Sequence, residues 1–144
     1  MEITKMMPKD LQQIQKLYIE LVPDGCSLET LQKNYDKTAH DKNYTLLVAK
    51  DGDDVLGSAI GMIFTALDTP FLVVENVVVR EDCRGRGIGR AIFEALDIFA
   101  KENQCSYAIL VSSGYRKKAH KFYEAIGYND DVRGFRKYYS KPGN

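Results

Sequence analysis

Residues 84–90 read Arg84-Gly85-Arg86-Gly87-Ile88-Gly89-Arg90, three glycines interleaved with three arginines. Glycine lets a backbone approach a ligand closely and leaves its N–H groups unshielded. At the start of a helix those donors, with the positive end of the helix, make a site for an anion. One helix-end interaction contributes only ~0.3–1 kcal/mol when exposed and up to ~2 kcal/mol when partly buried. Affinity therefore has to come from several N–H groups acting together with Arg84, Arg86 and Arg90, cations that would repel one another without an anion between them. The dinucleotide fingerprint requires GxGxxG and an acidic residue about 20 positions on; here the spacing is GxGxG, and Ile109 stands at that distance. The phosphate loop GxxxxGK[ST] is absent. A glycine turn that caps a helix and binds nothing is the plainer alternative.

The elements that must hold this loop follow from periodicity. Residues 2–6 form a short strand, and Pro8 opens a helix whose stripe is Leu11, Ile14, Leu17, Tyr18, Leu21 and Val22. Pro23-Asp24-Gly25 ends it, and Ser27 caps a second helix running to about His40. Tyr44–Lys50 and Val55–Phe64 read as two strands joined by the turn Asp51-Gly52-Asp53-Asp54. Phe71–Val79 (FLVVENVVV) is a third, rich in β-branched residues and interrupted by the polar pair Glu75-Asn76. The glycine loop then leads into a helix to about Asn103, with Ile88, Ile92, Phe93, Leu96, Phe99 and Ala100 on one face. Ser106–Val111 is a continuous apolar run of the kind buried on both faces. A helix over Arg116–Ile126, ended by Gly127, and a last hairpin over Tyr128–Tyr139 complete the chain. The order is β-αα-βββ-α-β-α-β: an α+β chain with one parallel crossover.

The 144 residues are 44% hydrophobic and 28% charged, which fits one domain over residues 1–144 and excludes a disordered or collagen-like chain. Three scattered cysteines and two histidines disfavour a disulfide framework and a Cys/His metal site, so no metal is expected. No charge-free run is longer than Val55–Leu67, well short of the ~20 residues of a membrane span, and MEITKMMPKD lacks the pattern of a signal segment. A soluble, cytoplasmic protein without a membrane partner is expected, as a monomer or homodimer. The net charge is zero but uneven: residues 1–72 hold 7 Lys+Arg against 11 Asp+Glu, and residues 73–144 hold 13 against 9. The basic half contains the glycine loop. No overall basic excess points to nucleic acid.

Val79 followed by Arg84-Gly85-Arg86-Gly87-Ile88-Gly89 resembles the acetyl-CoA diphosphate loop, (Q/R)xxGx(G/A), of the GNAT N-acetyltransferase superfamily. Ala119-His120-Lys121-Phe122-Tyr123-Glu124-Ala125-Ile126-Gly127-Tyr128 is similar to that superfamily's second signature, AxxFYexxGF. The two stand in the family's order and spacing, and the element order agrees over nearly the whole chain. The resemblance implies a GNAT-like fold: a central twisted mixed sheet of six to seven strands, flanked by about four helices and splayed between Phe71–Val79 and Ser106–Val111. It also implies acetyl-CoA as co-substrate, with the acetyl group passing directly to a primary amine in a ternary complex. A CoA-binding module without transferase activity is the alternative.

Such chemistry sets definite tasks. A lysine-like amine with pKa ~10.4 is overwhelmingly protonated at neutral pH, a deficit of roughly 4–5 kcal/mol. A base must take that proton, an N–H donor must meet the developing oxyanion, and an acid helps the departing thiolate. The resemblance assigns Glu75 as base through water; a wet-face glutamate on an alternating strand is the competing reading. Asn76 marks a candidate bulge. Val77, Val78 and Val79 fall to the cofactor's acetyl and pantetheine portions, with the N–H of Val77 for the carbonyl and the backbone of Val79 for strand-like pairing. Gly85, Gly87, Ile88 and Gly89, with the three arginines, fall to the diphosphate. Tyr123 is the acid candidate. The chain departs from the family at Arg116, where an asparagine often contacts the cofactor; the run Arg116-Lys117-Lys118 instead suits a phosphate or open solvent. On the acceptor side Tyr18, Glu20, Asp24 and Tyr35 come into play, the two carboxylates suiting a cationic amine. A cysteine acyl-enzyme at Cys83, beside Arg84, lacks a paired base.

Overall fold

The computed structural model describes residues 1–141. Five strands form one sheet in the order β1 (Glu2–Lys5), β2 (Tyr44–Asp51), β3 (Asp54–Thr65), β4 (Pro70–Val79) and β5 (Ala108–Leu110). The first four run antiparallel to their neighbours, and β5 joins β4 in parallel. The helices are α1 (Leu11–Leu17), α2 (Leu28–Thr38), α3 (Ile88–Glu102) and α4 (Lys117–Ala125). Single 3-10 turns at Pro8–Asp10 and Tyr18–Glu20 flank α1. Ser27 caps α2 by accepting the Thr30 N–H at 3.0 Å.

The middle of the sheet is buried on both faces, and β2 shows how. Leu46 and Val48 pack with Leu11, Ile14 and Tyr18 on one side, while Leu47 and Ala49 pack with Ile92, Phe93 and Leu96 on the other. Side chains along a strand alternate in direction, so the run TLLVA serves two cores. A Cβ at Gly61 of β3 would come within 2.9 Å of the Leu96 side chain, so the missing side chain is what lets α3 lie this close to the sheet.

A buried ion pair fixes the start of α1. The Lys50 ammonium donates to Asp10 Oδ1 at 2.7 Å, the Met7 N–H donates to Asp10 Oδ2 at 2.8 Å, and Asp10 and Lys50 are only 1% and 7% exposed.

Three expectations need correction. The sheet has five strands among the described residues, not six to seven. No strand forms over Tyr128–Tyr139; residues 129–141 are irregular and exposed, with Phe135 at 90%. The neighbouring template is short, since β5 pairs only through Ala108, Ile109 and Leu110, and Asp130, Asp131, Arg133, Arg136 and Lys137 break any apolar alternation in the segment. Finally, Ser106–Val111 is not buried on both faces: Ala108 and Leu110 pack against the core, whereas Ile109, pointing to the opposite face, is 39% exposed.

Candidate functional site

The ladder between β4 and β5 stops at Val74 and Leu110, while β4 continues to Val79. The two strands part there for a local reason. Ser58 pairs with Val78 and Ile60 with Glu75, so three steps along β4 match two along β3. This is a β-bulge, and Asn76 sits in it at φ 52°, a conformation that asparagine tolerates better than most residues. Bulges re-aim the backbone, and this one falls at the polar pair.

Beside the end of β4 lies a cavity of about 840 Å³. Its walls are Val77, Val78 and Val79 of β4, the turn before α3, and the first two turns of α4 with Tyr115 and Arg116 leading in. The turn before α3 holds its shape through Gly85 and Gly87, at φ 77° and 80°, a left-handed region that costs other L-residues roughly 1–2 kcal/mol. Gly87 is the N-cap of α3. At Gly89 a Cβ would lie 3.2 Å from the Phe122 ring, so glycine also lets α4 close against α3.

The charge on the walls is one-sided. Arg84, Arg90, Arg116, Lys117 and Lys118 line the cavity against a single carboxylate, Glu20. A cleft lined by one sign of charge focuses its field on the opposite ion. Arg84 donates from Nε to the Val79 carbonyl at 3.1 Å and forms an ion pair through Nη2 with Glu20. Ten of the twelve residues singled out above for cofactor or catalysis reach this lining; Arg86 is exposed outside it, and Glu75 stands on β4 beyond it.

Glu75 is exposed, yet its negative charge is felt by Tyr18 and Tyr123, helping to raise both phenols. For Tyr123 burial is the larger cause and Arg116 opposes it; for Tyr18 burial comes first, then Cys26, then Glu75. A raised phenol stays protonated at neutral pH, as a hydrogen-bond donor must. Tyr123 is fixed by edge-to-face contacts with Phe93 and Phe122, at centroid distances of 5.9 and 5.6 Å. His120, on the same helix, meets the Ser113 carbonyl through Nε2 at 2.8 Å; its ring is occupied in tying the preceding loop to α4.

Sequence reasoning brought Tyr18, Glu20 and the basic run Arg116–Lys118 forward only weakly, and it gave no sign of the Glu20–Arg84 pair. These two residues lie 64 positions apart, and no local pattern joins them.

Burial pushes Tyr128 up to about 12, helped by Asp97 and Tyr123, and its hydroxyl is buried without a hydrogen-bond partner. A consequence can be measured. Below about pH 10 the phenols are protonated in both folded and unfolded chains, so their contribution to stability is complete. As the pH rises further the unfolded chain releases protons that the folded chain keeps, and stability falls. Denaturant midpoints should therefore drop between about pH 10 and about pH 12. Tyr128→Phe should flatten the drop while leaving neutral-pH stability equal or higher, since it removes an unsatisfied hydroxyl.

Residues 11–128 match the family described as acetyltransferase (GNAT). A curated relative, the uncharacterized N-acetyltransferase MJ1530 of Methanocaldococcus jannaschii, is 29% identical over 78 residues, covering 54% of this chain and 50% of the relative. The match thus takes in half the relative's length. A transcriptional regulator from Bacillus halodurans C-125 superposes with a TM-score of 0.89 at 22% identity, covering 96% of this chain and 99% of that one. The aminoglycoside enzyme AAC(6')-Iy, solved in complex with the bisubstrate analogue CoA-S-monomethyl-acetylneamine, gives a TM-score of 0.78 at 18% identity over 95% and 97% of the two chains. At those identities the two structures attest the fold.

Proposed function

The chain belongs to the acetyltransferase (GNAT) family, and from that premise we propose that it moves the acetyl group of acetyl-CoA directly to a primary amine within a ternary complex. The observation that carries the reading is the cationic cavity lined by the end of β4, the glycine turn at the start of α3 and the start of α4. Diphosphate would be held by the N–H groups of residues 85–90 with Arg84 and Arg90. Several weak donors acting together supply what one helix end cannot. Val79 offers its backbone to the pantetheine arm as a strand edge.

The chemistry falls to three groups. Glu75 accepts the amine proton through water, which the exposed position of its carboxylate allows. The N–H of Val77, next to the bulge, donates to the acetyl carbonyl oxygen as charge builds there. As the N–C bond forms and the C–S bond breaks, Tyr123 gives its proton to the departing sulfur, and solvent reprotonates the phenol. A phenol is protonated at neutral pH even at its ordinary pKa of ~10, so the proton is present when the sulfur departs.

Calorimetric titration with CoA tests the binding half. Micromolar or tighter binding is expected in the wild type, and a titration without heat or saturation would end the proposal. Gly87→Ala should weaken CoA about tenfold, because a side chain at φ 80° is relieved by turning the peptide away from the anion at a cost of ~1–2 kcal/mol. Thiol release over a panel of amines tests the transfer half, with Tyr123→Phe expected to slow turnover more than it weakens CoA.

A further inference from the structure

The Glu20–Arg84 ion pair forms part of the cavity wall. Glu20 closes the 3-10 turn Tyr18–Glu20 after α1, which packs against β4, while Arg84 opens the turn leading to α3. Arg84 is thus engaged twice within the protein, by the Glu20 carboxylate and by the Val79 carbonyl at 3.1 Å. Both engagements fall on groups the cofactor needs: the guanidinium for diphosphate and the Val79 backbone for the pantetheine arm. Glu20 is the only carboxylate among the residues lining the cavity, which otherwise presents five cations.

On the reading of the site as an acetyl-CoA site, we infer that Glu20 is an internal stand-in for phosphate that cofactor binding displaces, and that the freed carboxylate then receives a second positive charge on the acceptor. The acceptor class is accordingly a diamine or polyamine-like molecule, in which one nitrogen reacts and another stays an ammonium. A diphosphate carries more charge than one carboxylate and presents several acceptor oxygens, so it outcompetes Glu20 for the guanidinium. Released, Glu20 is an uncompensated anion on the segment whose Tyr18 senses Glu75. Two carboxylates, Glu75 for the reacting nitrogen and Glu20 for the distant one, would then face the acceptor. Linkage makes the effect reciprocal: what strengthens the diamine in the presence of CoA strengthens CoA in the presence of the diamine by the same factor.

The test is calorimetry with CoA, 1,5-diaminopentane and pentylamine on the wild type, Glu20→Gln and Glu29→Gln. The last removes an equal charge from the first turn of α2, outside the cavity. An exposed ion pair sets the scale at about two- to fivefold. Glu20→Gln should bind CoA tighter by that factor, while Glu29→Gln should match the wild type. Saturating CoA should strengthen 1,5-diaminopentane two- to fivefold in the wild type, leave pentylamine unchanged, and have no effect on either amine in Glu20→Gln. Equal CoA affinity in Glu20→Gln and wild type overturns the displacement, and equal responses of the diamine and the monoamine overturn the acceptor class. Failure of the wild type to bind CoA at all strikes instead at the acetyl-CoA reading on which the inference rests.

Discussion

Glu75→Gln should lower the rate of acetyl transfer at neutral pH by about 10²–10⁴-fold, the range that a positioned general base contributes, while leaving CoA affinity within about twofold of the wild type. The separation follows from position. Glu75 stands on β4 one residue before the bulge and outside the cavity lining, whereas the cations that face the cavity come from the glycine turn and from Arg116, Lys117 and Lys118 around the start of α4. Glutamine keeps the shape and removes the proton acceptor. The deficit should also shrink as the pH climbs toward the amine's own pKa of ~10.4, because solvent then supplies the neutral nucleophile that the base otherwise makes. Stopped-time thiol release at several pH values reads both features. Equal rates in variant and wild type near neutrality would remove Glu75 as base; thiol release from neither protein, with CoA still bound, would favour a binding module.

Asp10→Ala should destabilise the protein by about 3–5 kcal/mol, the range found when one partner of a buried ion pair is removed. The loss is large because Lys50 would keep a buried ammonium facing nothing, and the Met7 N–H would lose its acceptor. The paired change Asp10→Leu with Lys50→Met should recover most of that loss, since burying two charges is itself costly and apolar groups of similar volume avoid it. Urea denaturation of the wild type and the two variants measures the difference. A single variant within about 1 kcal/mol of the wild type would show that the pair is worth no more than an exposed one. The pair ties the start of α1 to β2 and takes no part in the cavity lining, so CoA affinity of the folded fraction should not change.

What the sequence disclosed was whatever local pattern encodes. The alternating glycines and arginines disclosed the left-handed turn at the start of α3, where Gly85 and Gly87 stand at φ 77° and 80°, and part of the basic lining of the cavity. The polar pair Glu75-Asn76 inside an apolar strand announced the irregularity that becomes the bulge. Strand β2 was legible over Tyr44–Lys50, but that its side chains serve two cores appears only in the fold. Contacts between distant residues were silent. Asp10 and Lys50 are 40 positions apart and each, read in its own window, looks like an ordinary surface charge. The apolar run Ser106–Val111 promised cover on both faces, but cover comes from elements distant in the chain, and only the face carrying Ala108 and Leu110 meets the core. The aromatic residues after Gly127 suggested strands for the same reason, since propensity alone does not supply a partner to pair with.

The connectivity of the sheet bears on how the molecule assembles. Strands β2, β3 and β4 form a meander whose links span only a few residues, so its closure sacrifices little chain entropy. Pairing β5 onto β4 must wait for the long excursion through α3, and short-range contacts generally form faster than distant ones. The meander is therefore expected to condense first and the parallel pair last, so that slow refolding phases should report on Leu72–Val74 meeting Ala108–Leu110.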